Sequence, residues 1–330
     1  MKPSSTERTS TNRLAEMTPA NSGTGEGMMA LTRSTTEPNS TGLAPKYVIV
    51  SPVRDEQENI ERAIQCVMRQ SVRPTEWIIV NDGSRDQTGR ILDEYAIREP
   101  WIRVIHRQDR GYRKSGTGVM EAFHEGYGAL LTQKWDFLVK LDGDLSFAED
   151  YFALCFKRFQ QNPKLGLGGG TILSQGANGL TAERSHDFHV RGATKIYRRE
   201  CWDAIGGLIH QTGWDTWDEV KANMLGWETL CFADITLVQH RHTGAADGTW
   251  KNAVKNGRAN YVCGYHPLFM FLKCAKRIFQ HTYFISSFGL MTGYLSGYLF
   301  RVPRLEDDGV IQYLRKQQMK RLTFSGGIWK

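Results

Sequence analysis

An apolar run, FLVKL, ends at residues 142–144 in two aspartates flanking a glycine. Asp-Gly is a common turn pair, because glycine and short polar side chains tolerate the sharp backbone. Two carboxylates one residue apart are also oxygen donors of the kind that hold a hard divalent cation. Other acids stand at comparable places. Asp55 and Glu56 follow the apolar run YVIVSPV (47–53), and Asp82 follows EWIIVN (76–81). Farther on, Asp215, Asp218 and Glu219 crowd into GWDTWDEVKANMLGW (213–227), and His240 and His242 close LVQHRHTG (237–244). Alternate residues of a strand share a face, so an H-x-H pair can hold a metal together. Each feature also has an ordinary reading. Asp142 and Asp82 suit turns, and acids such as Asp218 and Glu219 favourably meet a helix dipole.

The elements that must position these groups follow from the hydrophobic pattern. YVIVSPV, EWIIVNDGS (76–84), WIRVIHR (101–107) and WDFLVKLD (135–142) are short apolar runs that read as buried strands. Between them, ENIERAIQCVMRQ (58–70), DQTGRILDEYAIRE (86–99) and VMEAFHEGYGALL (119–131) place apolar residues at helical spacing, with Asp86 as an N-cap. Such alternation predicts right-handed βαβ units on a parallel sheet. Ligands of these sheets gather at the carboxyl ends of the strands. One acid there is turn chemistry; three acid-bearing strand ends on one edge make a site.

SPVRDEQENIERAIQCVMRQ, EWIIVNDGSRDQT and FLVKLDGD together resemble the start of the inverting family 2 glycosyltransferases, over roughly residues 46–245. The family's usual P-x-Y-N-E-E stands here as Pro52-Val53-Arg54-Asp55-Glu56-Gln57, with Arg for Tyr and Asp for Asn. Its D-G-S turn matches Asp82-Gly83-Ser84, and its D-x-D matches Asp142 and Asp144. The resemblance implies an α/β GT-A fold, a Rossmann-like mixed sheet with helices on both faces, plus a C-terminal helical extension. It implies that Asp82 accepts a hydrogen bond from the base of a nucleotide-sugar, UDP-sugar favoured, with Pro52, Arg54 and Glu56 beside base and ribose. Asp144 becomes the more direct ligand of Mg2+ or Mn2+, and Asp142 is turned toward ribose and metal. The family's G-E-D-x-D-L motif, laid down without gaps, puts the catalytic base at Asp215, with Trp214 in place of Glu. Asp218 is the alternative base, followed by Glu219. A histidine near the metal falls at His240, with His242 close behind. Phe123-His124 replaces the family's Arg-Asn pair, and Arg113 and Lys114 are open substitutes for phosphate contact.

Charge divides the chain. Lys251–Lys330 carries 13 Lys and Arg against 3 acids, whereas the rest carries 29 against 32. A basic, aromatic-rich quarter suits an anionic lipid surface. Nucleic acid is set aside, because no nucleic-acid-binding motif accompanies the charge. The uncharged stretch 282–300 has the length to cross a bilayer but only marginal hydrophobicity, so a helix lying on the membrane is preferred over a span or a buried helix. Six scattered cysteines with no C-x-x-C predict reduced thiols. The polar N-terminus lacks a signal-peptide apolar stretch, which predicts a cytoplasmic protein, peripheral at the inner face of the membrane. The expected layout is a disordered tail (1–44), a catalytic domain (45–250) and a basic, membrane-interfacial helical region (251–330).

Resemblance to enzymes of cell-surface and extracellular polysaccharide synthesis implies a glycan or lipid-linked sugar acceptor. Two alternatives remain: a sugar-phosphate nucleotidyltransferase, which needs a glycine-rich phosphate loop that SPVRDEQEN lacks, and a non-catalytic nucleotide-sugar-binding protein at the membrane.

Overall fold

Strand β1 (Tyr47–Val53) is buried along its whole length, as expected of a central parallel strand covered on both faces. Its alternate residues feed two separate cores. Tyr47, Ile49 and Val53 join the core with α1 (Ile60–Met68), α2 (Thr88–Arg98) and α4 (Tyr151–Gln161). Val48 and Val50 join the other, with α3 (Thr117–Gly128), α5 (Arg199–Ile205) and α6 (Trp214–Met224). The computed structural model describes residues 44–328 apart from 113, 115, 177–178, 183–185, 242–247 and 279–282. The polar segment 1–43 and His242 therefore lie outside the described residues.

Among those residues, β1 pairs in parallel with β2 (Glu76–Asn81) and β4 (Phe137–Leu141), and β2 with β3 (Ile102–His106). The order in the sheet is β3-β2-β1-β4-β8-β6-β9-β5, with β7 (Gly179–Ala182) paired to β6 (Leu165–Gly176). β8 (Thr194–Arg198) runs antiparallel to β4 and β6, and β5 (Leu145–Phe147) antiparallel to β9 (Glu228–Gln239). The sheet is thus mixed. β1 lies between β2 and β4, so chain direction across the sheet reverses there, and a crevice opens at the carboxyl ends of both strands. Asp55-Glu56 and Asp142-Gly143-Asp144 stand on either side of it.

Asp142-Gly143-Asp144 is a turn, as its residue types predict, and its glycine has a packing reason. A Cβ on Gly143 would approach Val53 at 2.8 Å and Ile60 at 3.0 Å, so only glycine lets the turn sit down on the first strand and helix.

Helices α7 (Gly248–Val262), α8 (Pro267–Ile278), α9 (Tyr283–Leu299) and α10 (Asp308–Leu322) follow β9. A third core joins Trp217 and Val220 of α6 to Tyr261, Met270, Leu290, Tyr294 and Leu314 of these helices. Residues from Ala44 onward form one compact unit. α7 and α9 meet backbone to backbone. A Cβ on Gly257 would lie 2.0 Å from the Leu290 carbonyl oxygen, and one on Gly293 would lie 1.9 Å from that of Val254. The glycines that made residues 282–300 only marginally apolar are therefore the contact surface of α9. Among the described residues, no helix is long and apolar enough to cross a membrane.

Candidate active site

The carboxyl edge of the sheet holds a cleft of about 610 Å³. The end of β1 contributes Pro52, Arg54 and Glu56, and the end of β2 contributes Asp82. The end of β4 contributes Asp142 and Asp144, and the first turn of α6 contributes Asp215. These seven side chains, all singled out in the sequence, thus share one space. A volume of that size accommodates a nucleotide-sugar.

Asp144 is 5% exposed. Its Oδ2 accepts a hydrogen bond from Gln239 Nε2 at 3.0 Å, while Oδ1 is buried with no hydrogen-bond partner. Burial first, then the neighbouring Asp142 charge, pushes its carboxyl up to about 7. Glu56 is raised as well, chiefly by burial, although Arg241 Nη1 donates to its Oε1 at 2.6 Å. A buried acceptor with an unused lone pair beside further carboxylates is a place where a cation is favourable. Among the described residues, no group of three or more His, Cys, Asp or Glu surrounds a single point. Two aspartates with water and phosphate oxygens are nonetheless a normal set for Mg2+, so the donors present fit a small divalent cation.

His240 is not brought into this cluster. Its Nε2 lies 2.7 Å from Ser146 Oγ, and the ring faces a shallower depression beside Asp55, Glu58 and Asp86. Neighbouring residues at a strand end face opposite ways, so Gln239 and Arg241 take the cleft side instead.

The acids of α6 separate cleanly. Gly213 precedes the helix at φ 93°, and a Cβ there would lie 2.4 Å from Cys263 Sγ, so the turn that presents Asp215 requires glycine. Asp215 faces the cleft. Asp218 is 2% exposed and sits behind it, accepting from Lys195 Nζ at 3.0 Å and from Tyr197 Oη at 2.5 Å. Burial raises its carboxyl even against the Lys195 charge. Glu219 is fully buried and accepts from Lys195, from the Val190 amide and, at 2.8 Å, from His189. Asp218 and Glu219 anchor α6 to β8 rather than lining the site.

Asp82 lies at the expected strand end, but its carboxylate is engaged. Arg107 donates at 2.5 Å, and Arg110 donates through both terminal nitrogens at 2.8 and 2.5 Å. Arg54 donates to the Asp82 carbonyl oxygen at 2.7 Å and pairs with Asp109. A carboxylate offers about four acceptor positions, so one remains beside the three donors.

Several cleft residues were not picked out from the sequence. Lys140 lies on the wholly buried β4, with Nζ bonded to Asp142 and, at 2.5 Å, to the Gly192 carbonyl oxygen. The Trp214 ring sits between Lys140 and Lys195, its centroid 5.4 Å and 5.5 Å from the two ammonium groups. An aromatic face tolerates two nearby buried cations. A lysine inside an apolar strand was the available signal, since a buried ammonium needs a partner. Asn252, Lys255 and Asn256 of α7 also reach the cleft, with Arg191 from the loop before β8. Lys114 lines it too, bonded to Glu121. Arg113 and His242 lie outside the described residues. Phe123 is core, and His124 stacks on His210 at 3.7 Å away from the cleft.

Comparison with known proteins agrees with this arrangement. The chain is 36% identical over 81 residues to the uncharacterized glycosyltransferase EpsJ of Bacillus subtilis, a match covering 24% of each protein. It is 26% identical over 188 residues to the polyprenol monophosphomannose synthase of Mycolicibacterium smegmatis, covering 51% of this chain and 68% of that one. The chain thus spans only about a quarter of the first relative's length. Among solved structures, GalNAc-T7 with UDP, GalNAc and Mn2+ superposes with a TM-score of 0.54 at 12% identity, over 85% of this chain and 57% of that one. That likeness shows a shared GT-A architecture. Residues 48–214, about half of the sequence and everything from β1 to the start of α6, match Glycosyl transferase family 2, and with its acid-bearing strand ends gathered on one cleft the chain belongs to that family.

Proposed function

We propose that the chain transfers a sugar from a nucleotide diphosphate donor, UDP-sugar favoured, to an acceptor hydroxyl with inversion at the anomeric carbon. One observation carries the reading: Asp215 lines the same cleft as Asp82, Asp142 and Asp144. In this reading Pro52, Arg54 and Glu56 border the base and ribose, and the fourth acceptor position of Asp82 takes an N–H of the base. Asp144 and Asp142 hold Mg2+ or Mn2+, which when bound offsets charge on the departing diphosphate. The GalNAc-T7 structure holds UDP, GalNAc and Mn2+, which supports that choice. Asp215 accepts the acceptor's hydroxyl proton as its oxygen bonds to the anomeric carbon, and the bond to the diphosphate breaks with its electrons staying on phosphate. A carboxylate on the face opposite the leaving group suits a single inverting displacement. His240 has no part in this scheme.

The reading extends to a glycan or lipid-linked sugar as acceptor, in cell-surface or extracellular polysaccharide synthesis at the inner face of the cell membrane. The mycobacterial relative, a polyprenol monophosphomannose synthase, and the basic C-terminal quarter support it.

A thermal-shift panel of UDP-, GDP- and dTDP-sugars with Mn2+ tests the donor. A UDP-sugar is expected to raise the melting temperature in the presence of Mn2+. Asp144→Ala is expected to remove that metal-dependent increment and all transfer while the unliganded protein still melts cooperatively. Full transfer in excess chelator overturns the metal role, and no shift with any sugar nucleotide overturns the donor assignment.

A further inference from the structure

Helices α8 and α9 run antiparallel, joined by hydrogen bonds from Ser287 Oγ to the Cys274 carbonyl oxygen and from Tyr294 Oη to that of Tyr265, each 2.6 Å. Their inner faces are fully used. Phe269, Met270 and Cys274 of α8 are buried, and α9 buries Leu290 and Tyr294 and packs its glycines on α7. The outer faces are apolar and uncovered. On α8, Leu268, Phe271 and Leu272 recur at helical spacing, with Phe271 62% exposed; on α9, Phe284, Phe288 and Leu295 do the same, with Phe284 61% exposed. Leu299 and Phe300 extend the row at the end of α9. Rows of exposed side chains of this size on two packed helices mark an interaction surface rather than ordinary surface composition.

The charge around the stripe selects its occupant. Residues 267–304 carry five Lys and Arg and no carboxylate. Lys276 and Arg277 at the end of α8 and Arg301 just past α9 are exposed. A second copy of the chain would set these three exposed cations against three. An acidic bilayer surface instead receives the apolar row among its acyl chains and the cations at its headgroups. No described helix is long and apolar enough to cross, so a pair docked on a bilayer would lie along its surface.

We infer that the outer faces of α8 and α9 dock on an anionic lipid bilayer. This gives the proposed peripheral placement its contact residues and rests on that placement for its biological sense. It also orients the cleft. α7 presents Asn252, Lys255 and Asn256 to the cleft, while Val254 and Gly257, on its opposite side, meet α9. Two helices, α9 and α7, at roughly 10 Å each, then separate the docked face of α9 from the acceptor wall, so a lipid-linked acceptor reaches Asp215 by extending about 20 Å from the bilayer.

Co-sedimentation of the full chain with vesicles tests this without using activity. Binding is expected to phosphatidylcholine vesicles containing 30% phosphatidylglycerol, and to be lost with phosphatidylcholine alone or at high salt. Phe271→Ser/Phe288→Ser is expected to weaken binding at least about tenfold, and Lys276→Gln/Arg277→Gln roughly 25-fold, at about fivefold per cation. Both variants change exposed residues, so melting temperature and the nucleotide-sugar thermal shift should stay at wild-type values. Wild-type protein that ignores anionic vesicles overturns the inference. So does a wild-type dimer that Phe271→Ser/Phe288→Ser dissociates, since the stripe would then be a self-interface. A protein that binds vesicles but shows no shift with any sugar nucleotide keeps the docking surface and sinks the enzymatic reading instead.

Discussion

Asp215 and Asp218 lie three residues apart on α6 and end in opposite environments. The first meets the cleft, and the second meets Lys195 and Tyr197 in the interior. Asn at position 215 keeps the shape and removes the proton acceptor, so transfer is expected to fall roughly 10²- to 10⁴-fold while the donor-induced thermal shift persists. Asn at 218 should act on the fold. Breaking one side of a buried ion pair costs about 3–5 kcal/mol, toward the lower end here because Glu219 still pairs Lys195. Transfer rates and melting temperatures of the two variants separate the roles: a stable, inactive Asp218→Asn protein would make Asp218 the base. The motif put both aspartates within a few residues of the right place. Its gapless placement already preferred Asp215; what the sequence did not show is that Asp218 is anchored by Lys195 and Tyr197, more than twenty residues earlier, whose approach to α6 is a property of sheet pairing and leaves no mark in the local sequence. His240 illustrates the same limit, since one residue of strand phase decides which side chain meets the carboxylates.

The βα units of the first half were readable because each strand and helix carries its own periodicity, and their ends matched the runs to within a few residues. The wall formed by α7 was not. Asn252, Lys255 and Asn256 look like any solvated helix face, and only the glycines of α9, spaced four apart at 289, 293 and 297, hinted at close helix packing. Two alanine substitutions test whether that packing positions the wall. Gly257→Ala drives a methyl into the backbone of α9, with an expected loss of about 1–3 kcal/mol or more and reduced transfer as Lys255 and Asn256 shift. Gly128→Ala, at the end of α3, meets nothing within 4 Å and is expected to be neutral or to stabilise by up to about 1 kcal/mol. Equal melting temperatures for the two variants would dissociate the glycine contacts from stability.

At the scale of the whole molecule, the basic C-terminal quarter stood out by charge, which marks its surface and says nothing of its interior. That interior is shared with the catalytic half. α6, which presents Asp215, has Trp214 and Ala222 in the core beneath the sheet, while Trp217 and Val220 lie in the core formed with α7–α10. Ending the chain after residue 247 strips the cover from Trp217 and Val220. Exposing two such side chains costs about 1.5–3 kcal/mol each, a large share of a total stability of about 5–15 kcal/mol. The same cut removes the α7 wall and leaves the α6 start, with Gly213 against Cys263, without its support. The truncated protein is therefore expected to lose its cooperative melt, to bind an apolar dye and to show no shift with sugar nucleotides. A truncated protein that melts within a few degrees of the full chain and still responds to donor would mean that residues 45–247 stand alone, with the C-terminal helices serving only the membrane.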